Sequence, residues 1–348
     1  MENLRHLTLG QIQQLIVDMG EKPFRAKQIY EWLWQKHVHS IDDMSNLSKL
    51  FKQQLQEKYT LNKLMIDHAQ YSEDGTIKDR FVTYDGHFVE GVLIPTETRM
   101  TACVSSQVGC SLSCKFCATG YMERKRNLDY DEIVDQVAHL NQQAKEKFNK
   151  GLTNIVFMGM GEPLLNYAGV TKAIEKISAP DGMAMSPSRI TVSTAGIAKM
   201  IRRAGDDNAK YNLALSLHAA DDKKRNEIMP INESNNLKTL IEALNYFYSK
   251  TKGKITFEYI LFANFNDSTE DADKLIKICR QVPARVINII EYNPIGMAQF
   301  AKPSEEKVTA FMEYLTQHKI NARLRRSRGK DIDAACGQLA NIDHVSTN

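Results

Sequence analysis

Residues 103–117 read Cys103-Val-Ser-Ser-Gln-Val-Gly-Cys110-Ser-Leu-Ser-Cys114-Lys-Phe-Cys117. The last three cysteines are spaced Cys-x3-Cys-x2-Cys. A loop of this kind gives three thiolates to one cubic iron–sulfur cluster and leaves one iron without a protein ligand. An iron left open can chelate the amino and carboxylate groups of a methionine moiety. The competing reading is a structural zinc site, which needs a fourth ligand at suitable spacing; no second Cys-x2-Cys or His-x3-His follows nearby. Phe116, just before the third cysteine, is placed to pack beside a bound adenine. The metal ligands read from the sequence are Cys110, Cys114 and Cys117.

Outward from this loop, apolar strand-like runs recur at Ala102–Ser105, Asn154–Met158, Arg189–Ser193, Asn212–Leu217, Ile255–Leu261 and Val286–Glu291. Helical stretches separate them, most clearly 130–148, 236–250, 269–280 and 304–318. Alternation of this kind implies a parallel sheet with helices outside, which right-handed crossovers curl toward a barrel. The expected fold is α/β, a partial (βα)6 barrel. Most strand runs lead into a polar or glycine-rich segment, such as Gly159-Met-Gly-Glu-Pro163, Thr194-Ala-Gly196, His218 and Tyr292-Asn-Pro294. In βα folds these strand ends converge on the active site.

The first ninety or so residues differ. Helical spacing marks 8–19, 25–37 and 46–58; Arg80–Tyr84 and His87–Ile94 then read as a β-hairpin around Tyr84-Asp85-Gly86. This predicts a small α+β accessory domain over 1–95, a core over 96–329 and a C-terminal segment over 330–348. The chain has 348 residues, 43% of them hydrophobic and 25% charged, an ordinary globular balance, and a net charge of +3 that excludes a uniformly basic nucleic-acid coat. Six cysteines are too few for a disulfide scaffold. The opening MENLRHLTLGQIQQ lacks the apolar run of a signal peptide, and no apolar stretch is long enough for a membrane span. A cytoplasmic protein is expected.

The cysteine loop and the Gly159–Pro163 turn resemble the radical S-adenosylmethionine (SAM) superfamily, whose Gly-Glu-Pro signature binds the methionine amino group. The likeness is closer than that. Cys103–Cys110, Met158-Gly-Met-Gly-Glu-Pro-Leu-Leu165, Ser216-Leu-His218, Met229-Pro-Ile-Asn232 and Asp331-Ile-Asp-Ala-Ala-Cys-Gly-Gln-Leu339 together resemble the RlmN/Cfr family of radical SAM RNA adenine methyltransferases. The resemblance runs from Pro23-Phe-Arg-Ala-Lys-Gln-Ile-Tyr30 to the final cysteine motif. Pro23–Tyr30 and Cys103–Val108 look more like the RlmN branch.

What the resemblance implies is specific. The cofactors are a [4Fe-4S] cluster and SAM, with Gly161, Glu162, Ser193, Ser216, Leu217, His218 and Asn293 as SAM contacts. The reaction is methylation of adenine carbon 2 in 23S rRNA, at the peptidyl transferase centre, and in tRNA, at the adenosine 3′ of the anticodon. Ring carbons 2 and 8 are not nucleophiles, so ordinary transfer from a sulfonium cannot reach them. In the implied route Cys336 becomes an S-methylcysteine and two SAM are used per turnover. Glu90 accepts the ring proton, and Cys103 resolves the adduct through a transient disulfide with Cys336. A Cfr-like carbon-8 methyltransferase conferring antibiotic resistance is one rival, and a non-catalytic metal-cluster RNA-binding protein another. Taken singly, His218 reads as a core histidine, Asn293-Pro294 as a turn, Glu90 as a solvated strand residue and Cys336 as a buried apolar side chain. Cys279 has helical apolar spacing and reads as packing.

Basic clusters at Arg323–Lys330, Arg124–Arg126 and Lys22–Lys36 flank the expected site and suit RNA phosphates. Trp32 and Trp34 read as core. An electron donor such as flavodoxin and a monomeric state complete the expectations.

Overall fold

The computed structural model describes residues 1–341, so the expected C-terminal segment 330–348 is followed to residue 341. Its centre is one ten-stranded sheet whose strands lie side by side in chain order. They are β1 (Met65–Tyr71), β2 (Ile77–Val82), β3 (Phe88–Pro95), β4 (Met100–Cys103), β5 (Asn154–Phe157), β6 (Ile190–Thr194), β7 (Asn212–Ser216), β8 (Ile255–Leu261), β9 (Ala284–Glu291) and β10 (Ala322–Arg325). From β4 to β10 every pairing is parallel; β1 to β4 pair antiparallel.

The six expected parallel strands are present as β4 to β9, and β10 adds a seventh. It is short and polar, Ala-Arg-Leu-Arg, and its backbone is ordered by pairing with β9 rather than by an apolar run of its own. The expected two-stranded hairpin is corrected to a three-stranded meander, β1 to β3, that continues into the barrel sheet through β3 and β4. The accessory strands and the core thus share one sheet across residue 95.

Ten helices accompany these strands. Before the sheet come α1 (Leu9–Asp18), α2 (Phe24–Trp34) and α3 (Lys49–Lys58); the rest are α4 (Tyr130–Phe148), α5 (Tyr167–Ser178), α6 (Ala198–Asp206), α7 (Asp222–Ile228), α8 (Leu237–Thr251), α9 (Thr269–Gln281) and α10 (Glu305–Gln317). Their starts follow capping chemistry: Thr8 and Gln11, and Asp129 and Glu132, form capping boxes. Strand β8, flanked on both edges and packed on both faces, is buried at almost every position.

The N-terminal helices are fixed to α4 by buried polar contacts. Arg5 Nη1 donates to Asp135 at 2.7 Å, Nη2 forms an ion pair with the other carboxylate oxygen at 2.7 Å, and Asn3 donates to Asp131 at 2.7 Å. Buried charges of this kind persist only when paired. Trp34 is core, stacked on Tyr130; Trp32 is half-buried, its indole N–H donating to Asn46. No helix among the described residues is long and apolar enough to cross a membrane.

Candidate functional site

A cavity of about 390 Å³ opens at the C-terminal ends of the parallel strands. Cys110, Cys114 and Cys117 line it, on the loop that leaves β4. Tight backbone shapes this loop. Ser113 takes a left-handed φ of 53°, and a Cβ on Gly120 would sit 2.6 Å from the Cys114 carbonyl oxygen. Burial pushes the Cys110 thiol up to about 11 and raises Cys114 and Cys117 as well; a metal that binds them must take their protons.

Among the described residues, the one set of three His, Cys, Asp or Glu side chains with ligand atoms all within 4.8 Å of one another is His6, Asp129 and Asp131. The three loop cysteines bring no fourth His or Cys ligand on their own loop, the donor set of a cluster with one open iron rather than of a closed structural zinc site.

The Gly159–Pro163 turn, which follows β5, forms the cavity wall beside the loop. Gly161 has φ 92°, and a Cβ there would lie 2.5 Å from Gln107, so only glycine fits. Gln107 in turn accepts the Glu162 N–H at 2.8 Å. The Glu162 carboxylate accepts from Ala195 N–H at 2.7 Å and Leu164 N–H at 3.0 Å. Burial outweighs these bonds and pushes the carboxyl up to about 7. Such a group, at the cavity wall, takes a cationic amine well.

Ser193 and Ser216, at the ends of β6 and β7, face each other with hydroxyls 3.4 Å apart and also line the cavity. His218 follows with φ 53°. Its Nδ1 accepts the Ile260 N–H at 3.1 Å, which leaves the ring proton on Nε2, and burial pushes it down to about 3. The Phe116 ring meets it edge-on with centroids 4.6 Å apart. Leu217 differs from its neighbours: its side chain is fully buried in the core, and its carbonyl accepts from Arg225.

The two remaining cysteines reach the same cavity. Cys103, at the end of β4, and Cys336, on the segment after β10, both line it as free thiols. Burial, then the nearby Cys336, pushes the Cys103 thiol up to about 12. Cys336 keeps surface open toward the cavity, yet the surrounding walls strip it of bulk water and raise its thiol too, against the pull of Arg325. Three contacts hold its segment: Asn293 Nδ2 donates to the Cys336 carbonyl at 3.2 Å, Ala118 N–H to the Gly337 carbonyl at 2.7 Å, and Thr119 Oγ1 to the Leu339 carbonyl at 2.6 Å. Asn293 is thus engaged with the Cys336 segment.

Glu90 is buried, not the solvated strand residue of a first reading. Residues after Cys336 cover it: Ala340 N–H and Asn341 N–H donate to its Oε2 at 2.9 and 3.2 Å. It shares a sheet face with Cys103, because Val92 lies opposite Cys103 across β3 and β4 and Glu90 is two residues from Val92.

Three further residues were not singled out from the sequence. Glu258, in the middle of β8, faces the cavity; one oxygen accepts from Asn288 at 2.7 Å, the other has no hydrogen-bond partner and lies 3.9 Å from Arg325. Arg225, fully buried, donates to the carbonyls of Ala195, Ser216 and Leu217 and to Asn232, tying the strand ends together. Lys78 pairs with Glu90. A charge inside an apolar strand run was the available signal for Glu258. Conversely, Arg126, expected on RNA phosphate, is gripped by Asp85 and Glu132. Arg326 and Lys330 pair with Glu291, and Arg325, Arg326 and Arg328 line the cavity.

Comparisons with known proteins agree with this geometry. Residues 2–61 match a family model described as the ribosomal RNA large subunit methyltransferase N-terminal domain, and residues 104–276 match the radical SAM superfamily. A probable dual-specificity RNA methyltransferase RlmN of Christiangramia forsetii is 52% identical over 98% of this chain and 96% of its own length. The dual-specificity RNA methyltransferase RlmN of Syntrophobacter fumaroxidans is 44% identical, covering 97% of each. The crystal structure of a radical SAM methyltransferase from Sphaerobacter thermophilus superposes with a TM-score of 0.91 at 38% identity, over 97% of this chain and 99% of that one.

Proposed function

The chain belongs to the RlmN family of radical SAM RNA methyltransferases, and from that premise we propose that it methylates adenine carbon 2 in 23S rRNA and tRNA, carrying the methyl group on Cys336. The observation that carries the reading is the single cavity in which the three loop cysteines, Glu162, Cys103 and Cys336 meet.

The enzyme uses a [4Fe-4S] cluster and SAM; when bound, the cluster supplies the electron that turns SAM into a source of a hydrogen-abstracting radical. Cys110, Cys114 and Cys117 hold it. Glu162 receives the methionine amino group, and Ser193, Ser216 and neutral His218 supply hydrogen-bonding groups to the rest of SAM. The Cys336 thiolate attacks the methyl carbon of a first SAM, from which S-adenosylhomocysteine would leave; the S-methyl group would then give up one hydrogen atom to the radical derived from a second SAM, and its carbon would bond to the ring carbon. Glu90 takes the ring proton. Cys103 then attacks the Cys336 sulfur as a thiolate, the S–C bond to the methyl carbon breaks and its electron pair takes up a proton, and methylated RNA leaves a disulfide behind.

The RNA targets are an adenosine at the peptidyl transferase centre and the adenosine 3′ of the anticodon. The target base leaves its stack to enter the cavity, with Arg325 at the wall. The enzyme works in the cytoplasm, as a monomer, with a donor such as flavodoxin. The carbon-8 reading finds no support among the relatives, which carry the RlmN name. A non-catalytic cluster protein would have no use for Glu162 and two extra thiols in the cavity.

The test is anaerobic turnover of reconstituted enzyme with SAM, reductant and each RNA class, followed by mass analysis of nucleosides. The expected product is 2-methyladenosine from both. An 8-methyl product would overturn the choice of carbon.

A further inference from the structure

Lysine is almost never buried without a partner, and Lys78 is 3% exposed. Its ammonium has two neighbours: Glu90 Oε1 at 3.5 Å and the carbonyl oxygen of Asp333 at 3.4 Å. Glu90 is the residue assigned to remove the ring proton. Asp333 lies three positions before Cys336, on the segment that delivers the methyl group. These two residues must act on the same ring carbon, and one ammonium touches the side chain of the first and the backbone leading to the second.

From this we infer that Lys78 is a positioning residue for RNA methylation: it orients the Glu90 carboxylate and fixes the Cys336 segment relative to it. The inference rests on the roles given to Glu90 and Cys336 above.

The surroundings of Glu90 show why a cation is needed there. Lys78 pairs with Val92 and Arg80 with Glu90 across β2 and β3, so all four side chains point to one face. Arg80 is directed to Asp67, with Nε to Oδ2 at 2.7 Å. Asp79 points to the opposite face, where Gln143 donates to it. Ser105 Oγ donates to the Glu90 carbonyl, not to its carboxylate. The backbone N–H groups of Ala340 and Asn341 bind the second oxygen but carry no net charge. Lys78 supplies the direct ion pair. Removing one partner of a buried pair leaves an uncompensated charge and takes away the contact that fixes where the other partner points.

In the step concerned, Glu90 takes the hydrogen of the substituted ring carbon as a proton. An O–H bond forms on Glu90, the C–H bond breaks and its electron pair returns to the ring, the unpaired electron left by radical addition going back to the cluster that supplied it. Lys78 neither gains nor loses a proton.

The experiment follows release of methylated RNA from the protein–RNA adduct in full-length reconstituted enzyme, comparing wild type, Lys78→Met, Lys78→Arg and Glu90→Gln. Iron content and the mass of the S-methylated Cys336 peptide are measured on the same samples. Lys78→Met should keep its cluster and its methyl mark but release RNA about 10- to 100-fold more slowly at neutral pH, a portion of what a general base contributes. Lys78→Arg should restore part of the rate. Release at the wild-type rate in Lys78→Met overturns the inference, as does loss of cluster and methyl mark together, which would make Lys78 merely structural. A wild-type Glu90→Gln would instead overturn the reading of Glu90, and with it any base for Lys78 to position.

Discussion

The backbone N–H of Ala118 donates to the carbonyl oxygen of Gly337 at 2.7 Å, so the residue after Cys117 is bonded to the residue after Cys336. The cluster loop and the methyl-carrying segment, more than 200 positions apart in the chain, are stitched together residue against residue. Gly337 makes the approach possible: its φ is 87°, and a Cβ would lie 3.1 Å from the Phe116 carbonyl oxygen.

Gly337→Ala should therefore loosen the Cys336 segment without touching the cluster. A non-glycine residue in left-handed backbone costs about 1–3 kcal/mol, here against a segment held by a few hydrogen bonds. Alkylation of Cys336 should become faster and its S-methylation slower, with iron content unchanged. Peptide mass spectrometry reads all of these except iron; a normal methyl mark would contradict the proposed docking.

Arg225 offers a test of how the SAM-facing strand ends are fixed. Its guanidinium ties Ala195, Ser216, Leu217 and Asn232 together while fully buried, and burial pushes it down to about 10. Arg225→Met would leave several buried acceptors unpaired, each costing about 1–3 kcal/mol. Denaturant unfolding should show a loss of at least ~3 kcal/mol. SAM affinity, measured anaerobically by equilibrium dialysis, should fall as Ser216 and Ala195 lose their support.

How far the sequence alone reached follows from what kind of interaction fixed each feature. The loop cysteines were legible because their spacing is local, and β4 to β9 because buried parallel strands are continuous apolar runs. Strand β1, Met-Ile-Asp-His-Ala-Gln-Tyr, is a largely exposed edge strand with no such run, and β10 is four mostly polar residues. Both exist through pairing with distant partners, which no local pattern reports. The same holds for Lys78 and Arg225, whose partners come from remote segments, and for Arg126, whose charge looked available to RNA until Asp85 and Glu132 were found around it.

His218 gives a pH prediction with a defined sign. Burial pushes its imidazole from 6.5 to about 3 in the folded state, and the Ile260 N–H occupies Nδ1. The unfolded chain binds this proton more readily, so stability is fully present above pH 6.5 and drains away as pH falls from 6.5 toward 3. The shift corresponds to about 4–5 kcal/mol. In His218→Gln the melting temperature should fall less steeply between pH 6 and 4 than in wild type. Parallel curves for the two proteins would mean that His218 titrates normally.

The two catalytic thiols should differ in reactivity before any turnover. Cys103 is 7% exposed and pushed up to about 12 by burial, whereas Cys336 presents accessible surface to the cavity. The thiolate is the reacting species, so in cluster-loaded protein at pH 8 iodoacetamide should label Cys336 first and Cys103 slowly. Loss of the thiols should separate their roles in the reaction as well. Cys336→Ala has nothing to receive the methyl group and should form no methylated RNA at all. Cys103→Ala still builds the bond to the ring carbon but has no resolving thiol, so protein should remain attached to RNA on a denaturing gel. Free methylated RNA released at the normal rate by Cys103→Ala would show that another group breaks the Cys336 sulfur–carbon bond.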